Sequence, residues 1–439
     1  MRKSKLLPVL LLLLTGLAGL EFMYRGPLRA LRAHGFVNDF LPPAIQSHAW
    51  ILGKDPYDPL IFTQLWPSDA GQIVLLHREA LDGSMPAKRG MPSPYPLPCF
   101  PLLFPLGLIR WKIANLLWIA ICLFAFALAL ICTAVNAGID LRTSQAGVLA
   151  AGALAFAPFH TAIFTENPVL PVFALGMLAM VIAERGKEAA AIVLLIVALA
   201  FKPTVALPFV GYLLIRDRWR ILIPVVMGVG LLLAVGQIRL TAAGASWLPT
   251  FLRGSQKMFG PGGIDDFSSV NPLRFNLLNL QVIGFELLGT RLGAQVAAWL
   301  TYLVLLTLWL WGRRRTSGQA AGVLELSILA ATILLPFYHR FYDAVLLLLP
   351  LSWAIGNFRG ELRRYARVAL LLMTPFLLPG ATVLNQLAGT ATSFKNISRF
   401  WWWNLFVVPH EIWAVLLLSV VLIAARRKMR VPATEPVTG

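Results

Sequence analysis

Acidic residues are scarce in this sequence, 20 Asp and Glu in 439 residues, so the place of each one carries information. Asp39 lies beyond an apolar N-terminal run, in FVNDFLPPAIQSHAWILGKDPYDP. A carboxylate packed among Phe36, Phe40 and Trp50 would be desolvated. Its pKa and basicity would rise, which suits a general base. Aspartate also caps helices well, so an N-cap for a helix over 40–52 is the structural alternative. GKDPYDP reads as a turn from its Gly and Pro content. Asp55 and Asp58 are therefore expected as turn residues, with Asp55 kept as a second candidate for the base or for substrate contact. Lys202 stands inside the apolar run 189–215. An ammonium there is costly unless it has a task, and a lipid phosphate would be a fitting partner. The alternative is snorkelling to an interface.

Other clusters could join these. PFYHRFYD (336–343) places His339 and Arg340 where they could hold a phosphate, Arg as a fork donor and His when charged. Tyr338 and Tyr342 would supply an amphipathic belt. Glu166-Asn167 is a polar pair between two apolar runs, a candidate for substrate contact. Asp265-Asp266, flanked by Gly-rich sequence, reads as a pair of solvated loop residues rather than a metal pair. Trp401, Trp402 and Trp403, with Phe400 and Phe406, read as an interfacial belt. The three cysteines form no disulfide framework, and no Cys or His spacing suggests a metal. No metal and no cofactor are expected.

The elements that must position these groups are membrane helices. The chain is 58% hydrophobic and 13% charged, with mean hydropathy +0.72, where a soluble chain carries about 25% charged residues. A spanning helix needs about 20 mostly apolar residues, and such runs recur along the chain. The net charge of +18 does not point to nucleic acid, because the basic residues lie between apolar runs, where lipid headgroups and topology explain them. The N-terminal run 6–24 reads as a retained span preceded by Arg2, Lys3 and Lys5, and not as a cleaved signal. Further apolar runs lie at 113–135, 145–165, 167–184, 189–215, 221–240, 291–312, 320–337, 341–357, 366–384 and 409–425. The fold class is thus all-α and polytopic, with about ten to twelve hydrophobic helices.

Run 189–215 has basic residues at both ends and Lys202-Pro203 in its middle. Proline removes a helical hydrogen bond, so the run is expected to fold as a hairpin of two half-helices. One kinked span is the alternative, and it would invert everything downstream. The hairpin places Arg142, Arg313–Arg315, Arg359 to Arg367 and Arg426 to Arg430 in the cytoplasm, with both termini. One integral membrane domain, 1–430, is expected, followed by a short polar tail, 431–439. Outer loops cover 25–112, 241–290 and 385–408. The Pro-rich apolar piece 95–109 reads as interfacial or re-entrant.

These motifs, taken in order, resemble glycosyltransferase family 87, the polyprenyl-phosphate-mannose-dependent mannosyltransferase-like proteins of the GT-C fold. The resemblance rests on NDF followed by ILGKDPYDP, then YPLPCFPLLFPL, then a run with Leu116-Leu117-Trp118. It continues through ALAFKPTVALPFVGYLLIRDRWR, the Asn-Pro-Leu at 271–273 and the connector at 336–342. It implies a GT-C-like bundle with a long first extracytoplasmic loop, in the inner (plasma) membrane. It implies transfer of a hexose, mannose by analogy, from a polyprenyl-phosphate donor to an envelope glycan or glycolipid outside the cytoplasm, with inversion. Asp39 matches the family's acidic base in the first outer loop. Lys202, Arg340 and His339 would hold the leaving phosphate. The rival expectation is a transporter or flippase of lipid-linked sugar. The two differ in whether Asp39, Lys202 and the 339–340 pair converge.

Overall fold

A computed structural model describes residues 6–32, 38–70, 92–311, 319–390 and 392–429. Phe36, Arg2, Lys3, Lys5, Arg313–Arg315 and the tail 431–439 lie outside the described residues. Among the described residues the chain is helical with no strand. The all-α polytopic membrane architecture expected from the sequence is the one observed. The physical cause is that a helix satisfies its own backbone polar groups where no water can.

Among the described residues, four helices are long and apolar enough to cross a bilayer, or up to six if each of two bent pairs counts as one span. The other apolar helices run 10–17 residues. Several runs that look continuous in hydropathy are therefore broken or shortened in the fold. The chain divides into two compact units, each assembled from separate stretches.

The first unit comprises Met1–Cys132, Ala150–Arg274 and Arg340–Val345. Its helices are α1 (Leu6–Arg25), α2 (Pro27–Arg32), α3 (Leu41–Ile51), α4 (Pro59–Gln64), α5 (Phe100–Gly107) and most of α6 (Trp111–Asn136). Then come the end of α7 (Ser144–Ala155), α8 (Ala157–Phe164), α9 (Val169–Glu184), α10 (Glu188–Phe201), α11 (Pro203–Ile215), α12 (Trp219–Ala242) and α13 (Leu248–Phe259). The Pro-rich piece at 95–109 forms a 3-10 turn, Leu97–Cys99, and the eight-residue α5. That is too short to cross, as its prolines imply.

The break between α7 and α8 has a specific cause. Pro158 has no N–H to give the Leu154 carbonyl, and the helix bends by 53° there. His160 takes over that carbonyl with Nε2, at 2.6 Å, which sets its tautomer as Nε2–H. This buried histidine is a structural patch for a proline break.

Run 189–215 folds as a hairpin. α10 and α11 meet at Lys202, which caps both (φ −147°, ψ 84°). The far ends come back together: Arg218 Nη1 lies 4.0 Å from Glu188 Oε1. Phe209, in the middle of α11, packs against Phe173 with ring centroids 6.1 Å apart. It also fills the space over Gly176, where a Cβ would come within 2.3 Å of its ring. Fourteen and 13 residues give half-helices of roughly 20 Å each, short of the roughly 30 Å hydrocarbon core.

The second unit comprises Thr133–Leu149, Phe275–His339 and Leu346–Gly439. It contains α14 (Leu280–Leu288), α15 (Arg291–Trp311), α16 (Gln319–Ile333), α17 (Leu348–Gly356), α18 (Arg363–Met373), α19 (Gly380–Thr390), α20 (Thr392–Ile397) and α21 (His410–Lys428). A fully buried ion pair, Arg426 Nη2 to Glu325 Oε1 at 3.0 Å, ties α21 to α16. Glu411 accepts from the Gly380 and Ala381 amides, at 2.8 and 3.3 Å, and so closes the open start of α19. Of the tryptophan run, Trp401 and Trp402 are exposed and Trp403 is buried. Only part of that run presents a belt.

Candidate functional site

The site is built in the first unit around the apex of the α10–α11 hairpin. Pro203 opens α11, where its missing N–H costs nothing. Lys202 therefore sits between two helix ends with its side chain committed to the site. Nζ donates to Asn167 Oδ1 at 3.0 Å and to Asp343 Oδ1 at 2.5 Å. The ring of Tyr342 lies 4.6 Å from Nζ, in cation–π range. Side-chain exposure is 14% for Lys202 and 1% for Asp343. The ammonium keeps a small exposed surface, and the carboxylate keeps almost none.

Asn167 joins this cation to Asp39. Its Oδ1 accepts from Lys202 and from the Val169 amide at the start of α9. The amide orientation is then settled, and Nδ2 points at Asp39 Oδ2, 2.8 Å away. Tyr342 also hydrogen-bonds the Asp39 carboxyl. Asp39 is part-exposed, and its backbone N–H donates to the Thr165 carbonyl at 2.8 Å. Asp39 is not the cap of the following helix. Asn38 does that work, its Oδ1 accepting from the Phe40 and Leu41 amides at 2.8 and 3.0 Å. The Asp39 carboxylate is thereby released for other partners. Burial pushes its pKa up, and this outweighs the lowering by the Arg340 charge, the Asn167 bond, Lys202 and Tyr342.

An aromatic column supports the position. Phe40 stacks on Trp118 with centroids 4.3 Å apart and an interplanar angle of 5°. Trp111 and Phe201 extend the column on either side. Trp118 Nε1 donates to the Glu166 carbonyl at 2.8 Å. Glu166 itself adopts φ +56°, a conformation that is costly for a residue with a side chain. Its carboxyl is buried against Asn38 and Asn115. With the Asn115 nitrogen turned toward it, the distances are 2.5 Å to Oε2 and 3.0 Å to Oε1. Burial raises the Glu166 pKa to about 8, the two amides pull it down, and the Asp39 charge adds to the rise. Only 2% exposed, Glu166 holds the Asp39 turn in place and does not face the surface.

Arg340 bonds Asp265, with Nε and Nη2 at 3.1 and 2.5 Å from Oδ1. Its backbone N–H donates to Asp343 Oδ2 at 3.1 Å. The expectation of solvated residues at 265–266 is overturned: both are buried. Asp266 accepts from the Gly262 and Ser268 amides and from the Ser268 hydroxyl, at 2.8, 3.0 and 2.6 Å. The glycines make a tight knot there and no open loop. Gly262 has φ +79°, and a Cβ on Gly263 would lie 2.2 Å from the Met258 carbonyl oxygen.

Of the remaining sequence candidates, Asp55 is engaged in its own turn. Asp55 accepts from the Tyr57 amide at 2.9 Å and from the Thr250 hydroxyl, so it forms its turn and ties it to α13. His339 and Tyr338 fall in the second unit, where the His339 carbonyl accepts from the Leu278 amide at 2.7 Å. Asp343, Asn38, Asn115 and Asp265 were not singled out from the sequence as site residues. Among the described residues no group of three or more His, Cys, Asp or Glu is arranged to hold a metal.

The Asn167 bond has a signature in titration. It holds the Asp39 pKa down, so its removal in Asn167→Leu lets that pKa rise further. Less of the carboxylate is then ionised at a given pH. Its midpoint moves upward, by roughly one pH unit or less, because one net hydrogen bond is worth about 1 kcal/mol. Titration of the Asp39 carboxylate band by infrared difference spectroscopy, in wild type and variant, checks this.

A helical membrane chain that holds a carboxylate of raised pKa close to a part-buried cation has the elements of a group-transfer site. A family model, glycosyltransferase family 87, matches residues 94–337. The protein is a multi-pass membrane glycosyltransferase. The match spans more than half of the 439 residues, and the chain belongs to glycosyltransferase family 87. No curated protein and no solved structure matches it. The matched stretch includes Glu166, Asn167, Lys202 and Asp265, and it leaves out Asp39 and the 338–343 connector.

Proposed function

We propose that the protein moves a hexose, mannose by family analogy, from a polyprenyl-phosphate donor to a hydroxyl of an envelope glycan or glycolipid. The observation that carries this reading is the continuous chain Asp39–Asn167–Lys202–Asp343. It sets a carboxylate of raised pKa beside an ammonium that keeps part of its surface open. Asp39 takes the proton of the acceptor hydroxyl as that oxygen attacks the anomeric carbon. The anomeric C–O bond to phosphate breaks, its electron pair leaves with the phosphate oxygen, and the configuration inverts. The leaving group is already a stable anion, so it needs cationic N–H donors and no general acid. Lys202 and Arg340 supply them. Glu166, Asn38 and Asn115 hold Asp39 in register.

The site lies on the extracytoplasmic side of an inner (plasma) membrane in this reading, with both termini in the cytoplasm. The hairpin supports that orientation. It returns the basic stretch at 216–220 to the side of Arg185 and Lys187, consistent with the positive-inside rule. The convergence of Asp39 with Lys202 favours transfer over transport, because a flippase needs no base beside its cation.

The test is an assay of membranes carrying the protein, with synthetic mannosyl-phosphoryl-polyprenol as donor. Transfer that depends on the protein, with inverted configuration in the product, is the expected result. Transfer from a nucleotide sugar but from no polyprenyl donor would overturn the reading.

A further inference from the structure

Lys202 and Arg340 are each backed by a buried carboxylate, and this arrangement has a bearing on turnover. The cations are part-buried, 14% and 24% exposed, while Asp343 and Asp265 are 1% exposed each. The cluster thus offers directed N–H donors without an excess of positive charge. Of the three N–H donors on an ammonium, one goes to Asn167 and one to Asp343. The third remains for a phosphate oxygen. Asp343 also accepts from the Arg340 amide at 3.1 Å, so it links the backbone of one cation to the side chain of the other.

Resting on the donor reading above, transfer changes the charge on the phosphate. The donor is a phosphodiester with one negative charge. The product is a phosphomonoester that carries up to two, since its second ionisation lies near pH 6. The charge gained at phosphate is the one lost at Asp39, which ends protonated. Two uncompensated cations would hold that product more firmly than the donor and slow its release.

We propose that Asp343 is a positioning residue for product release. It aims the Lys202 ammonium at the donor phosphate and offsets its charge, so that the phosphomonoester leaves. In Asp343→Asn the ammonium keeps Asn167 and the Tyr342 ring but loses its counter-ion. KM for the donor falls, kcat falls, and the product binds more tightly, by about tenfold on the scale of one charge-assisted contact. A merely structural role would raise KM or reduce the amount of folded protein, and would not tighten product binding.

The experiment measures inhibition of sugar transfer by farnesyl phosphate, and its direct binding to the purified protein in nanodiscs. Wild type, Asp343→Asn and Asp343→Glu are compared, with thermal unfolding as the check on folding. The expected result is a lower inhibition constant for Asp343→Asn, and a constant equal to or above wild type for Asp343→Glu, which keeps the charge. An unchanged or higher constant in folded Asp343→Asn overturns the proposal. If Asp343→Asn does not fold, Asp343→Ser takes its place: a lower constant in the folded variant supports the proposal, and an unchanged or higher one overturns it. Failure of farnesyl phosphate to bind wild type would sink the polyprenyl-donor reading, and this proposal with it. Binding to wild type that Asp343→Asn leaves unchanged would sink this proposal alone.

Discussion

Asp39→Asn will lose sugar transfer by about 10²- to 10⁴-fold in kcat, the range that a positioned general base contributes. An amide in place of the carboxylate keeps the shape and can still face Asn167 and Tyr342. It cannot accept the acceptor's proton. The loss should therefore fall on kcat, with donor binding and the unfolding temperature close to wild type. Two measurements separate the roles. Donor affinity reports on Lys202 and Arg340, while single-turnover transfer reports on Asp39. If Asp39→Asn transfers sugar at the wild-type rate, the base is elsewhere. Asp55, already bonded to Thr250 and to its own turn, would then have to be tested in the same way. In wild type the acid limb of the pH profile should lie above the ordinary carboxylate range. The sign is direct: burial raises the Asp39 pKa, the base works only when ionised, and activity therefore falls at a higher pH than for an exposed aspartate.

Lys202→Met carries the second large effect, and it acts on stability as well as on chemistry. Removing a donor to the leaving phosphate lowers kcat by about 10²- to 10³-fold, the cost of one well-placed electrostatic contact. It also leaves Asp343 buried beside an apolar side chain. Breaking a buried pair on one side costs about 3–5 kcal/mol, and protonation of Asp343 offsets part of that. The double variant Lys202→Met with Asp343→Asn should recover most of the stability and none of the activity. Thermal unfolding of the two single variants and the double, set beside transfer rates, gives the coupling between the residues. Equal transfer by Lys202→Met and wild type would remove the ammonium from the reaction.

Much of this was legible from residue types and their order. Apolar runs far above the content of a soluble chain determined an all-helical membrane protein, since lipid allows few other backbones. Lys202-Pro203, with basic residues at both ends of its run, favoured the hairpin over one kinked span, because proline breaks the helix and the positive-inside rule prefers both basic ends on one side. The isolation of Asp39 and Lys202 among apolar residues marked both, since a lone charge there is costly. The ordered motifs were enough to identify family 87.

Partnership was decided only by the tertiary structure. Asp343 stands in FYDAVLLLLP, an acid beside an apolar run, and the cost argument that marked Lys202 applies to it equally. No spacing says that residues 141 positions apart will meet. The same holds for Asp265 and Arg340, 75 positions apart. Local composition misread Asp265-Asp266 as solvated, because glycine serves an open loop and a tight knot equally well. Asp39 and Asn38 were equally able to cap α3. Folding gave the cap to Asn38 and turned Asp39 toward Asn167, and it is this choice that makes Asp39 a candidate base. A sequence states which groups are expensive to bury. Only the packed chain states which group offsets which, because electrostatic partners are set by distance in space and not by distance along the chain.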